Sequence, residues 1–353
     1  MKVGKQQIIN KAKLAGFPIV GFLKPHYFRD LKALLDRYVN EGYALVFTKE
    51  GIEKKCDPFL TMENCKTIVV LGAPYYSKTR EEQSADDKGG VFCGRLARTA
   101  WGEDYHRVLH RRMERLAEEL GEVTPGLSYQ SYVDTGPLVD RYLASKAGLG
   151  FYGYNNLFYH PKYGSYVFYG YMLIDQEMEG LEDKGNIPKK GALCENCNKC
   201  IKSCPTKAIE KPYRLNASRC LSGILQKKGV LSDKEKSIIG NRIYGCDVCQ
   251  QVCPYNNEVE MYSDSSFLPD NPPAWPDLIE LLGLSNKEFK KIYGSNASAW
   301  RGARVLKRNA LIVLGNTGDS EAIPYLTPFL NDSREDLRDA ARWALNKLEN
   351  GLG

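Results

Sequence analysis

Apolar residues three and four positions apart form two stripes in the first third of the chain. Tyr27, Leu31, Leu34, Leu35 and Tyr38 make one, and Tyr105, Val108, Leu109, Met113, Leu116 and Leu120 make the other. Each predicts an amphipathic helix with one buried face. Strands are predicted at Ile68–Leu71, at the alternation Leu127, Tyr129, Ser131, Val133, and along the aromatic run Tyr166–Ile174. Helices and strands thus alternate without repeats, which predicts a mixed domain over residues 1–183. A polar stretch, Asp175–Lys190, with Gly180, Gly185 and Pro188, reads as a linker, and so does the segment from about Asn256 to Pro276 with Pro269, Pro272 and Pro273.

The tail, residues 277–353, changes character. Leu306-Lys307-Arg308-Asn309-Ala310 recurs 31 positions later as Leu337-Arg338-Asp339-Ala340-Ala341, and Leu314 matches Leu345. This predicts paired helices of a short HEAT-like repeat. One and a half repeats cannot form a long solenoid, so the tail must pack on the rest of the chain and extend a binding surface. Gly148-x-Gly150-x-x-Gly153 fits the dinucleotide fingerprint, but it follows a helical stretch (Leu138–Ala147) and precedes an aromatic strand. The order required for a phosphate at a helix N-terminus is the reverse. These glycines are expected to admit a close backbone approach, to a flat cofactor or to a neighbouring strand.

Between these regions, over residues 184–262, lies the densest chemistry. Eight of eleven cysteines fall in Cys194-x2-Cys197-x2-Cys200-x3-Cys204-Pro205, Cys220, and Cys246-x2-Cys249-x3-Cys253-Pro254. Three thiolates two residues apart wrap a corner of a four-iron cube, and the cysteine three further on points to a second cube. Cys194, Cys197, Cys200 and Cys253 are therefore paired on one 4Fe-4S cluster, and Cys204, Cys220, Cys246 and Cys249 on the other. Cys220 precedes Cys246 by 26 positions instead of three. A helix is expected in that gap, because Ser232-x-x-Glu235 is a capping box followed by Ile238, Ile239 and Ile243. Structural zinc gains nothing from a third cysteine in one run or from the Cys-Pro endings, and a disulfide framework suits a secreted chain that this one does not resemble. Cys56, Cys65 and Cys93 lie outside the pattern and read as small buried residues.

The chain has 353 residues, 43% of them hydrophobic, enough for two or three cored domains. Met1–Lys24 lacks the apolar stretch of a signal peptide, and no segment approaches the roughly 20 apolar residues of a membrane helix. With thiolate ligands, this predicts a cytoplasmic protein. Net charge is +6, but residues 184–244 hold 14 Lys plus Arg against 4 Asp plus Glu. Arg301, Arg304, Lys307 and Arg308 form a second basic run. Such excess is often only a solvated surface; two basic segments flanking a redox centre favour a polyanionic partner such as nucleic acid. Clusters cannot by themselves perform two-electron carbon chemistry, so a further cofactor is required between them and the substrate.

Gly94-Arg95-Leu96-Ala97-Arg98, Trp101-Gly102-Glu103-Asp104-Tyr105-His106, Asp134-Thr135-Gly136-Pro137, Ala147-Gly148-Leu149-Gly150 with Asn155-Asn156, Gly164-Ser165, the eight cysteines and Arg242–Cys246 occur in this order. Together they resemble the epoxyqueuosine reductase family over essentially the whole chain; Tyr154 departs from the lysine many relatives carry there. The resemblance implies an α+β fold. Its parts are a cobalamin domain similar to reductive dehalogenases and nitroreductases, a bacterial-ferredoxin-like two-cluster domain and the HEAT-like tail. It also implies reduction of epoxyqueuosine to queuosine at the wobble position of tRNA, the last step of queuosine synthesis, by a monomer served by an unidentified electron donor. Cobalamin, bound base-off, is implied at Asp57, Ala97, Asp134, Phe158, Tyr169, Ser222 and Asp247. Ala97 offers only backbone and a methyl group. His106 and His160 read as structural or surface residues, since the family leaves the lower face of cobalt without a histidine. Asp134, which alone would read as an N-cap ahead of a helix beginning near Pro137, is implied to be the proton donor, holding a proton through desolvation. Lys227, Lys228, Arg301, Arg304, Lys307 and Arg308 are the candidate tRNA contacts. The other readings are a dehalogenase-type enzyme on small molecules and a ferredoxin module serving another protein.

Overall fold

The computed structural model describes residues 4–43, 51–77, 90–178, 181, 189–190 and 194–350. Most of the linker expected at Asp175–Lys190 lies outside the described residues. The main sheet has four strands, in the order Ile19–Leu23, Thr67–Pro74, Val167–Ile174, Tyr129–Val133, and every neighbouring pair is antiparallel. The two inner strands are buried along their full length because helices cover both faces. Alternation sorts their side chains. Val69, Leu71, Phe168 and Met172 pack with the helices Lys5–Leu14 and Tyr105–Val123, while Ile68, Val70, Tyr169 and Tyr171 pack with Arg29–Asn40 and Asp140–Lys146.

This sheet needs no crossover helix, so the glycine fingerprint has no Rossmann role. A Cβ at Gly150 would stand 2.0 Å from the Tyr159 carbonyl oxygen, and one at Gly153 would stand 2.7 Å from the Tyr159 ring. The glycines admit the strand Phe158–Tyr159. Two local expectations are corrected. The helix after the capping box runs only over Asp233–Ile239; Gly240, at φ +60°, turns the chain, and Ile243 sits in the strand Arg242–Tyr244. The helix expected near Pro137 starts at Asp140 behind Val139, so Asp134 caps nothing. Cys56 and Cys65 are buried as expected, whereas Cys93 is half-exposed.

The segment 256–276 is a fitted strap and no loose linker. Phe267 enters the sheet core, and Tyr262 donates its N–H to the Tyr76 carbonyl. The tail is helical, with Leu278–Gly283, Asn286–Tyr293, Ala303–Thr317 and Glu335–Asn350. Its last two helices touch where a Cβ on Gly315 would meet Ala344 Cα at 2.6 Å. Their core is shared with the insertion between Cys220 and Cys246: Leu221, Ile224, Leu225, Ile239 and Ile243 pack with Leu306, Ala310, Leu311 and Leu314. The basic residues join the two parts. Arg308 is 0% exposed and donates to the carbonyls of Lys227 (2.7 Å) and Gly229 (2.8 Å), while Lys307 donates to Leu282 O (2.8 Å) and Leu284 O (2.5 Å). Burial thus removes Lys307 and Arg308 from the candidate tRNA contacts. Among the described residues no helix is long and apolar enough to cross a membrane.

Candidate redox and active site

All eleven cysteines are unbridged. Cys194, Cys197, Cys200 and Cys253 line one hollow together with Tyr154, Tyr159 and Tyr255. Among the described residues no three Cys, His, Asp or Glu side chains close on a single ion; these four sulfurs stand around a volume. Burial pushes the Cys200 thiol up to about 11, with Cys253, Cys194 and Cys197 adding their charge. Cys249 is likewise raised by burial and by the charges of Cys246, Cys220, Cys200 and Cys204. Cys204 differs. Burial works against its thiolate, but backbone N–H groups, including Ala208 N at 3.2 Å, outweigh it and lower the pKa. Thiolate is the form that ligates iron.

The second cysteine set is stitched to the sheet domain. Ala97 N–H donates to the Tyr244 carbonyl (2.9 Å), and Arg98 N–H donates to Asp247 Oδ2 (2.9 Å). A Cβ on Gly245, at φ +70°, would stand 2.4 Å from Ala97 Cβ, so glycine is required there. Asp247 is buried and its carboxylate is spent on Arg98, with Arg95 3.8 Å away. Phe158 and Tyr169 are also buried and meet edge to face at 5.4 Å. The Tyr169 hydroxyl is buried without a hydrogen-bond partner among the described residues. Asp57 accepts from Phe59 N–H (2.9 Å), and Ser222 Oγ and carbonyl accept from Gln226.

Asp134 follows the edge strand in a left-handed conformation, φ +53°, with its side chain 64% exposed. Its N–H donates to Asp140 Oδ2 (2.6 Å), which holds the turn. Tyr105, stacked on Phe168 at 4.3 Å, donates its hydroxyl to Asp134 Oδ2 (2.8 Å). His106 lies between two carboxylates, with Nδ1 2.8 Å from Asp104 Oδ1 and Nε2 3.7 Å from Asp134 Oδ2. The expectation that Asp134 holds a proton is not met here. His106 keeps its carboxyl below the usual range, with burial opposing and the Tyr105 hydroxyl assisting. Burial works against a charge on His106, yet Asp104 and Asp134 raise it to about 9. Asp140 is pushed up to about 8 by burial and by the Asp134 charge. The sequence alone gives His106 a structural or surface role and assigns no site role to Tyr105, Asp104 or Asp140, although the Trp101–His106 run carries part of the family resemblance.

Of the remaining basic candidates, Lys227 pairs with Glu235 and Arg304 with Asp336 (2.7 Å). Lys228 is exposed. Arg301 lies over the Trp300 ring at 3.7 Å, and Trp300, 51% exposed, donates Nε1–H to Gln226 (2.8 Å). Burial raises the Tyr244 hydroxyl, with the charges of Asp104 and Asp134 adding to the rise and Trp300 and Arg301 opposing it.

The family model described as "Epoxyqueuosine reductase QueG, DUF1730" matches residues 55–135, and "4Fe-4S double cluster binding domain" matches residues 193–256. An epoxyqueuosine reductase of Lactococcus garvieae is 38% identical over 353 residues, covering 99% of this chain and 97% of the relative. The chain belongs to the epoxyqueuosine reductase family. Membership makes it an oxidoreductase whose reaction is the reduction of epoxyqueuosine to queuosine, and it carries a double-cluster 4Fe-4S domain. A Bacillus subtilis epoxyqueuosine reductase is 36% identical over 98% of this chain and 87% of that one. Among solved structures, an epoxyqueuosine reductase with an epoxyqueuosine-modified tRNA-Tyr stem loop superposes with a TM-score of 0.89 at 36% identity, covering 98% of this chain and 90% of that one. Another, from Bacillus subtilis, has its aspartate-bearing catalytic loop swung out of the active site (TM-score 0.89, 35% identity, the same coverage).

Proposed function

We propose that this chain removes the epoxide oxygen at the wobble nucleoside of tRNA, with electrons delivered through both cysteine sets to a cobalamin and a proton delivered by Asp134. The carrying observation is the clamp of residues 95–98 onto 242–247. It welds the Cys246–Cys249 loop to the segment that leads into Tyr105, His106 and the Asp134 turn. Electron supply and proton supply thus meet across one rigid seam. The buried, unpartnered Tyr169 hydroxyl fits a corrin, whose peripheral amides offer the missing acceptor. Backbone at Ala97, the Phe158 and Tyr169 rings and Ser222 would hold it, while Asp247 fixes the seam and Asp57 contributes at the edge.

When bound, cobalamin would supply a strongly reducing centre beside the nucleoside, held by the residues named above. The protein's part is to orient the nucleoside, exclude water and protonate the departing oxygen, which is otherwise a poor leaving group. Arg301 and Lys228 would hold RNA phosphates, with Lys227 and Arg304 joining if they leave their carboxylates, while the wobble base turns out of its stack. Trp300, half exposed beside Arg301, would supply a stacking surface for an unstacked base.

Asp134→Asn tests the assignment. The variant should keep its iron content and its cobalamin absorbance, while nucleoside mass spectrometry shows epoxyqueuosine left unreduced in tRNA. Wild-type turnover would refute the proton-donor role.

A further inference from the structure

The reduction consumes two electrons and two protons: both C–O bonds of the epoxide break, a carbon–carbon double bond forms and the oxygen leaves as water. Yet the group best placed to protonate that oxygen, Asp134, stands as a carboxylate. A proton has to be stored beside it. His106 Nδ1 is anchored to Asp104 Oδ1 at 2.8 Å, and Asp104 is fixed in turn by its N–H to the Ser295 carbonyl (2.7 Å). The imidazole is stacked on Tyr105 at 4.1 Å, so it cannot turn freely. Its Nε2 is buried, has no hydrogen-bond partner among the described residues, and points at Asp134 Oδ2 across 3.7 Å. Closing that gap by less than about 1 Å makes a hydrogen bond.

We propose that His106 is the proton reservoir of this site: as imidazolium it is held by Asp104 and passes its Nε2 proton to Asp134 when the nucleoside covers the carboxylate. The inference rests on Asp134 being the donor to the epoxide. In the open site the exposed carboxylate is solvated and the proton stays on His106. Covering Asp134 with a base removes that water, penalises its charge and moves the proton across. His106 then regains a proton from solvent water for the second transfer. The groups facing the ring agree with storage of a cation. Asp104 and Asp134 flank it, and the Tyr105 hydroxyl points at Asp134. From the next helix Asp140 faces the pair protonated and Arg141 opposes it; Arg107 and His110 share the ring's own helix, and burial keeps His110 below its usual pKa. His106 acts through Asp134, and is in that sense a positioning and relay residue.

The test compares wild type, His106→Gln and Asp134→Asn as cofactor-loaded holoenzymes on an epoxyqueuosine stem loop. His106→Gln is expected to lose about 10- to 100-fold in kcat, with KM for the stem loop unchanged within about twofold. Wild-type kcat/KM, which reports the free enzyme, should fall as pH rises through about 9, and this fall should vanish in His106→Gln. Independently of activity, 13C-histidine labelling of the four histidines should show one imidazole titrating near pH 9 that moves lower in Asp134→Asn. If Asp134→Asn is inactive while His106→Gln keeps wild-type kcat and pH profile, the relay is overturned and the donor stands. If Asp134→Asn itself turns over normally, the donor falls and the relay with it. An imidazole titrating at its ordinary value overturns storage even if His106→Gln fails to fold.

Discussion

Arg308→Met separates a surface cation from a structural one. The guanidinium is fully buried; besides Lys227 and Gly229 it donates to the Leu225 carbonyl (3.4 Å) and to Asn309 Oδ1 (2.8 Å). Burial lowers its pKa to about 10, which leaves it charged at neutral pH. Methionine fills the apolar volume but strips those acceptors of their donor. Leu225 retains Asn309 Nδ2 (2.9 Å), so the loss falls mainly on Lys227 and Gly229. A charge-assisted bond contributes about 1.5–3 kcal/mol, and two such losses with partial relaxation give about 3–5 kcal/mol. At about 2–4 °C per kcal/mol, the melting temperature should fall by about 10 °C. Calorimetry of the anaerobic holoenzyme reads this, and stem-loop affinity measured against salt reads the alternative. A phosphate contact would leave melting unchanged and reduce the slope of log affinity against log salt by about one. Unchanged melting with a reduced slope would refute the structural assignment.

Three further outcomes follow from the geometry. Trp300→Ala should weaken stem-loop binding by about 1–3 kcal/mol, roughly 5- to 150-fold, with the cofactor spectrum intact; equal affinity by fluorescence anisotropy would remove Trp300 from the RNA face. Cys253→Ala should drop iron from about eight to about four per chain and spare the Cys220–Cys246–Cys249 cluster, whereas Cys204→Ala should do the reverse; iron analysis with electron paramagnetic resonance that finds the opposite pattern would break the crossed pairing. Asp140 has its pKa raised on folding, so the folded protein binds the extra proton between about pH 4 and 8, and wild-type stability should fall as pH rises through that window. Asp140→Asn removes this slope while its carboxamide oxygen can still accept from Asp134 N–H. Melting curves at pH 5 and pH 8 with the same difference in both proteins would contradict it.

Periodicity located the helices Arg29–Asn40 and Tyr105–Val123 and the strands Thr67–Pro74, Tyr129–Val133 and Val167–Ile174, because each buries a continuous face. The cysteine groups were legible for a different reason: spacing along the chain dictates which way each thiol points. What stayed hidden depends on contacts between distant segments. Lys307 and Arg308 look like a charged surface until the carbonyls of residues 225–229 and 282–284 are seen to face them, with Asn309 beside them binding the Ile243 carbonyl. His106 looked incidental because Asp134 reaches it only through the fold of the edge strand. Ile243 extended a helical spacing that Gly240 ends by a backbone angle no periodicity records.

The shared core of insertion and tail has a consequence for exchange between proteins. Cys220 caps the short helix Leu221–Leu225, the backbone of that helix is gripped by Asn309, and Asn296 holds the carbonyls of Ala100 and Gly102 just ahead of Asp104 (both 2.7 Å). A ferredoxin module transplanted from elsewhere would lack the piece that the last helices require, and those helices cannot be grafted alone onto another redox protein. The segment holding Cys220, the residues ahead of Asp104 and the last helices are therefore interdependent parts of one folding unit.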